Sequence, residues 1–131
     1  MSVHFTRIAG VTALLAAVAL AGCYENDTEQ SRAPSPGMVG NPHHGKELVS
    51  YFGCGSCHTI TAVAEANGEV GPPLDDFANR AYIAGVLRNT PDNLVIWIRD
   101  PQSVVPGNVM PRMGIDTQDA RDIAAFLYTQ K

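Results

Sequence analysis

Two thiols and an imidazole stand within five consecutive residues, Cys54-Gly55-Ser56-Cys57-His58. Thiols three positions apart can add to the two vinyl groups of a haem and form paired thioethers. The histidine directly after the second cysteine is then held under the iron as an axial ligand, a standard role for imidazole. Two other chemistries use a C-x-x-C pair. A thiol–disulfide redox site needs a βαβ context, and no alternation of strands and helices is visible here. Half a zinc site needs a second Cys/His pair, which is missing. The motif reads as attachment of one covalent haem c.

A second axial ligand must come from farther along the chain. Pro106-Gly107-Asn108-Val109-Met110-Pro111-Arg112-Met113 carries two methionines in a polar, Pro/Gly-rich loop. A methionine is ordinarily core filler, but a loop of this composition gives it less reason to be buried. A thioether sulfur is a soft neutral ligand that favours Fe(II), so His/Met ligation raises the reduction potential and suits electron transfer. Other candidates carry less. His43 and His44 precede the first helix and read as surface histidines. Asp75 and Asp76 have no paired base or metal ligand nearby and read as a solvated loop. Nothing resembles a Ser/His/Asp triad or a phosphate loop, so no catalytic residue is assigned.

These side chains need a scaffold, and the sequence offers short helices joined by loops. Gly45 to Phe52, with apolar Leu48, Val49 and Phe52, forms a first helix running into the haem motif. Gly68, Gly71, Pro72 and Pro73 mark a loop. Ala78 to Leu87 can hold a short helix. A further helix follows Pro91-Asp92, with Leu94, Val95, Trp97 and Ile98 as its apolar stripe and Pro101 as its stop. In the last helix Thr117 is the expected N-cap, and Ala120, Ile123, Ala124 and Leu127 repeat at helical spacing. No strand pattern is visible, so the fold class is mostly α, with short helices packed around one covalent haem.

The chain has 131 residues, and its beginning reads as an export signal. A weakly basic start is followed by an apolar run from Ile8 to Ala21, about 14 residues and short of the roughly 20 that span a bilayer. It ends in Leu20-Ala21-Gly22-Cys23, which resembles a bacterial lipoprotein signal. That resemblance implies removal of residues 1–22 and a diacylglyceryl group on Cys23. It places the protein on the periplasmic side of a membrane, lipid-anchored. Residues 23–42 are polar and Pro/Gly-rich, a flexible tether reaching about 25 Å as a random coil. Residues 43–131 form the folded domain. Beyond the signal there are 13 acidic against 8 basic side chains, a net charge of −5. This balance argues against nucleic acid and favours redox protein partners with basic docking surfaces.

From about Gly45 to the C-terminus the chain resembles a class I c-type cytochrome. That family orders its parts as helix, C-x-x-C-H, G-P loop, middle helix ending near proline, P-G-x-x-M loop and terminal helix. Here Pro106-Gly107-x-x-Met110 matches the ligand loop, so the resemblance selects Met110 over Met113, with His58 as the other metal ligand. Gly71-Pro72 matches the G-P pair whose proline carbonyl orients the ligand histidine. The resemblance also implies Arg80 and Asn108 near a haem propionate, Trp97 lining the pocket beside the methionine, and Phe126 packed on Gly45. The lysine-rich haem edge of the mitochondrial branch is absent, since the only lysines, Lys46 and Lys131, are distant from the ligand loop. The loop from His58 to Pro72 is also longer than in that branch.

The resulting expectation is a single-haem electron-transfer protein cycling Fe(II)/Fe(III) between membrane-associated redox partners. It is a carrier, or an electron-entry subunit for a terminal oxidase or reductase, and not itself an enzyme. The alternative is a haem enzyme or gas-sensing haem protein with a displaceable distal ligand.

Overall fold

In the computed structural model the first helix starts earlier than the apolar pattern marks. The structure describes residues 40–131; the export signal, Cys23 and residues 23–39 of the tether lie outside the described residues. Helix α1 spans Pro42–Tyr51, where Asn41 accepts hydrogen bonds from the His43 and His44 amides and Pro42 occupies the first turn. Proline loses nothing there, because the first-turn N–H groups have no helical partner. Buried Leu48 and Val49 each contribute roughly 1.5–3 kcal/mol of apolar burial.

α1 crosses α4, Thr117–Leu127, at very short range. A Cβ on Gly45 would lie 1.9 Å from the Asp122 carbonyl oxygen, so only glycine permits this approach. Phe126 is buried in the core, and the atoms nearest to where a Gly45 Cβ would stand are the Asp122 carbonyl and the Ile123 nitrogen. The N-cap of α4 also shifts by one residue. Asp116, not Thr117, is extended and accepts from the Asp119 amide; its carboxylate adds favourable charge at the helix N-terminus.

Between these helices the expected helix over Ala78–Leu87 does not form. Phe77–Asn79 make one 3₁₀ turn, and the chain then builds a two-stranded antiparallel hairpin from β1, Tyr82–Ile83, and β2, Leu87–Arg88. Ala84 and Gly85 both take left-handed φ, 49° and 74°, which a right-handed helix cannot contain. The segment's single fully buried residue, Ile83, is too little for a helical face, while its short alternation suits a strand. The hairpin is fastened to the end of α4: Asn89 donates to the Phe77 and Arg80 carbonyls and accepts from the Tyr128 hydroxyl at 2.7 Å. Burial pushes the Tyr128 phenol up to about 12.

Helix α2, Pro91–Arg99, is capped by Thr90 and buries Leu94 and Ile98. Asp92 in its first turn and Arg99 in its last complement the helix dipole. Pro101 ends α2 as expected and also opens a short helix, α3, Pro101–Val104. Asp100 serves both, closing α2 and capping α3 through the Ser103 amide. Among the described residues no helix is long and apolar enough to cross a membrane.

Candidate functional site

The end of α1 delivers the Cys-Gly-Ser-Cys-His stretch as a single 3₁₀ turn over Cys54–Ser56. The amides of Cys57 and His58 both donate to the Cys54 carbonyl, at 3.2 and 3.0 Å, which turns the second thiol and the imidazole back beside the first thiol. Neither cysteine is in a disulfide. Burial pushes the Cys54 thiol up, as expected for a sulfur beside apolar neighbours.

The loop after His58 folds back to hold it. Gly68 N–H donates to the Gly55 carbonyl and Gly71 N–H to the Cys57 carbonyl, at 2.9 and 2.7 Å. The Pro72 carbonyl lies 2.7 Å from His58 Nδ1, so it accepts the ring proton and leaves Nε2 as the free nitrogen. A Cβ on Gly71 would fall 2.3 Å from His58 Cε1; glycine here is what lets the loop lie flat against the imidazole. Asp75, expected in a solvated loop, accepts from the Thr61 amide and hydroxyl and so closes this loop on itself. Asp76 remains exposed.

His58 faces a cavity of about 460 Å³ whose walls are mostly apolar. Cys54, Cys57, Pro72, Arg80, Trp97, Asn108, Met110 and Met113 all line it, so one cavity collects every site residue picked out in the sequence beyond Cys23. Their tasks in the protein frame differ. Arg80 donates to the Pro73 and Asp75 carbonyls and lies over the Phe77 ring. Trp97 is half-buried on α2. Asn108 donates to the Pro101 and Val105 carbonyls and accepts from the Met110 amide at 2.8 Å, so its side chain braces the methionine loop.

The two methionines are held differently. Met110 is pinned at its N–H by Asn108 and at its carbonyl by Gln102. Met113 is 39% exposed, and among the described residues no hydrogen bond holds its backbone. Of the histidines, His43 is an exposed partner of Glu47 at 3.5 Å. His44 is only half exposed and lies 2.8 Å from Asp122, a buried carboxylate on α4. Sequence reasoning missed Gln102, Asn89 and Asp122. Apart from Gln118, four residues before Asp122, their partners are backbone groups or residues distant in sequence, and no local spacing marks such pairs.

The donor set suits a haem. Two unbonded thiols, an imidazole with one free nitrogen and a thioether share one apolar cavity, a combination apt for a flat apolar macrocycle with a central iron. Fold and site together define a small, mostly helical protein in which a Cys-Cys-His turn and a methionine loop border one apolar cavity. The Cytochrome c family model matches residues 43–131, and the chain belongs to that family. Cytochrome c2 of Rhodopila globiformis is 34% identical over 105 residues, spanning 70% of this chain and 95% of that protein. Cytochrome c oxidase subunit 2 of Alkalihalophilus pseudofirmus is 36% identical over 90 residues, and that of Bacillus sp. PS3 is 44% identical over 66. The chain spans only 25% and 18% of the length of these two subunits. As a class I c-type cytochrome the protein carries one covalently bound haem c and serves haem electron transfer.

Proposed function

We propose that the protein is a tethered single-haem electron carrier, or an electron-entry subunit of a terminal oxidase or reductase. In this reading Cys54 and Cys57 form the thioethers, and His58 Nε2 and the Met110 sulfur are the axial ligands. The observation that carries it is the Pro72 carbonyl 2.7 Å from His58 Nδ1, in a cavity that Met110 also lines. When bound, the haem supplies one-electron Fe(II)/Fe(III) chemistry.

The chain's own residues do the rest. Pro72 keeps the proton on Nδ1, fixing the tautomer and ring plane and raising the basicity of Nε2. The braced Met110 loop favours a distal ligand that stays in place, which opposes the alternative of a haem enzyme or gas sensor. Arg80 supplies a polar group for the propionates in an otherwise apolar wall, and Trp97 packs beside the methionine. Asn108 spends both amide hydrogens on the Pro101 and Val105 carbonyls and acts through the methionine loop instead. Val70, Tyr82, Val109 and Met113 line the cavity and are exposed, giving a mouth at which a partner can approach the cofactor. The net negative charge steers partners with basic docking surfaces toward the protein. A diacylglyceryl group on Cys23 holds it on the periplasmic side of a membrane. The oxidase subunits among its relatives support the second assembly, in which this domain feeds a larger complex.

The test compares two variants of the haem-loaded protein. Met110→Ala should abolish the weak red-end band of a thioether-ligated ferric haem and lower the reduction potential. Met113→Leu, a volume-conserving exchange costing under about 1.5 kcal/mol, should leave both in place. The reverse pattern would transfer the ligand role to Met113.

A further inference from the structure

We propose that Gln102 is the positioning residue that keeps the Met110 loop closed, an inference that rests on Met110 as the distal ligand. Gln102 belongs to α3, not to the methionine loop, and all the hydrogen-bonding capacity of its amide NH₂ is spent on that loop. Nε2 donates to the Asn108 carbonyl at 2.9 Å and to the Met110 carbonyl at 2.8 Å, while Oε1 accepts from the Gly107 amide at 3.1 Å. A primary amide has two N–H donors, and both are directed at carbonyls flanking the methionine. Asn108 completes the arrangement from within the loop through Pro101, Val105 and the Met110 amide.

The platform carrying Gln102 is itself fixed. Asp100 caps α3 and pairs with Arg112, two residues beyond Met110. The chain on each side of the methionine is thus tied to the junction of α2 and α3. This matters because a neutral thioether is a soft ligand that prefers Fe(II), and its hold on Fe(III) is weak. The ligand stays bound in the oxidised state only if the loop's open conformations are rare. Gln102 supplies that bias by making opening break three hydrogen bonds at once. Each such bond carries a modest net stabilisation, so losing the two donated ones should raise the open population about tenfold.

The experiment measures imidazole affinity of the ferric, haem-loaded full chain, with the red-end band and the thermal midpoint recorded on the same samples. Gln102→Leu keeps the side chain's bulk and removes all three bonds; Gln102→Glu keeps only the acceptor for Gly107. Gln102→Glu should bind imidazole about tenfold more tightly than the wild type, Gln102→Leu at least that much more tightly, and Met110→Ala, the control, more tightly still. Affinities within twofold of wild type, with a lowered thermal midpoint or without one, would overturn the positioning role while leaving Met110 as ligand. A Met110→Ala protein with unchanged band and affinity would instead overturn the ligand assignment and this inference with it. If neither Gln102 variant loads haem in a folded state, the side chain serves the whole fold and the positioning role is likewise overturned.

Discussion

Replacing Asp122 by alanine should be among the most damaging single changes outside the haem cavity. Asp122 lies on α4 at 4% exposure, and its carboxylate accepts from the Asn41 amide at 2.8 Å, from His44 at 2.8 Å and from Gln118 at 3.0 Å. It therefore ties the start of α1 to α4 beside the point where Gly45 meets the Asp122 carbonyl. Alanine removes the charged acceptor of the part-buried Asn41 N–H, a loss of about 1.5–3 kcal/mol. The Gln118 pair, four residues earlier on the same helix, adds only about 0.2–0.5 kcal/mol. His44 is half exposed and can turn to water, so it adds little further. The total is about 2–3 kcal/mol, which for a domain of this size lowers the thermal midpoint by about 10–20 °C. Asp122→Asn keeps an acceptor for Asn41 and should lose less than about 1 kcal/mol. Thermal unfolding of the haem-loaded proteins, followed by far-ultraviolet circular dichroism, gives both values. A loss below about 0.5 kcal/mol for alanine, or equal damage from asparagine, would refute the claim that this carboxylate clamps the two terminal helices.

The same pair makes stability depend on pH. The hydrogen bond to Asp122, helped by nearby Asp119 and Glu47, raises the His44 imidazole above its ordinary value. Burial pushes the Asp122 carboxyl up, but the bonds from His44, Asn41 and Gln118 outweigh it and leave it below the ordinary carboxylate range. The His44 contribution is thus complete below its ordinary value near 6.5 and fades as pH climbs through the raised one. The Asp122 contribution is complete above its ordinary value near 3.9 and fades as pH drops through the lowered one. The thermal midpoint should form a plateau between these limits, and His44→Gln should remove only its alkaline shoulder; an unchanged pH profile in that variant would contradict the pairing. Cys23→Ser should release haem-loaded protein into the soluble periplasmic fraction, because the polar tether has no apolar run to hold a bilayer. Continued membrane association would point to an uncleaved helix or a permanent protein partner.

The haem turn and its helices were legible because their signals are local. Cys54, Cys57 and His58 act through spacing along the chain, and α1, α2 and α4 declare themselves through apolar residues one turn apart. The hairpin was not legible, since Tyr82–Arg88 offers only one buried side chain and its defining feature is the left-handed turn at Ala84-Gly85. Thr117 looked like the cap of α4 because both it and Asp116 are good capping residues; only the backbone, extended at Asp116, distinguishes them. Met110 and Met113 are equal in type and near neighbours in sequence. In the sequence the Pro106-Gly107-x-x-Met110 spacing separates them by resemblance; the bracing of Met110 by Gln102 and Asn108 consists of side-chain-to-backbone contacts, which leave no periodic trace.

The most direct test of a histidine- and methionine-ligated electron carrier is a potentiometric titration of the haem-loaded protein followed in the visible spectrum, with carbon monoxide added to the reduced end point. The predicted result is one reversible one-electron wave, a weak red-end band present only in the oxidised form, and a reduced spectrum that carbon monoxide does not change. Absence of that band, together with rapid carbon monoxide binding by the reduced protein, would contradict the account and point instead to a haem with an open distal position.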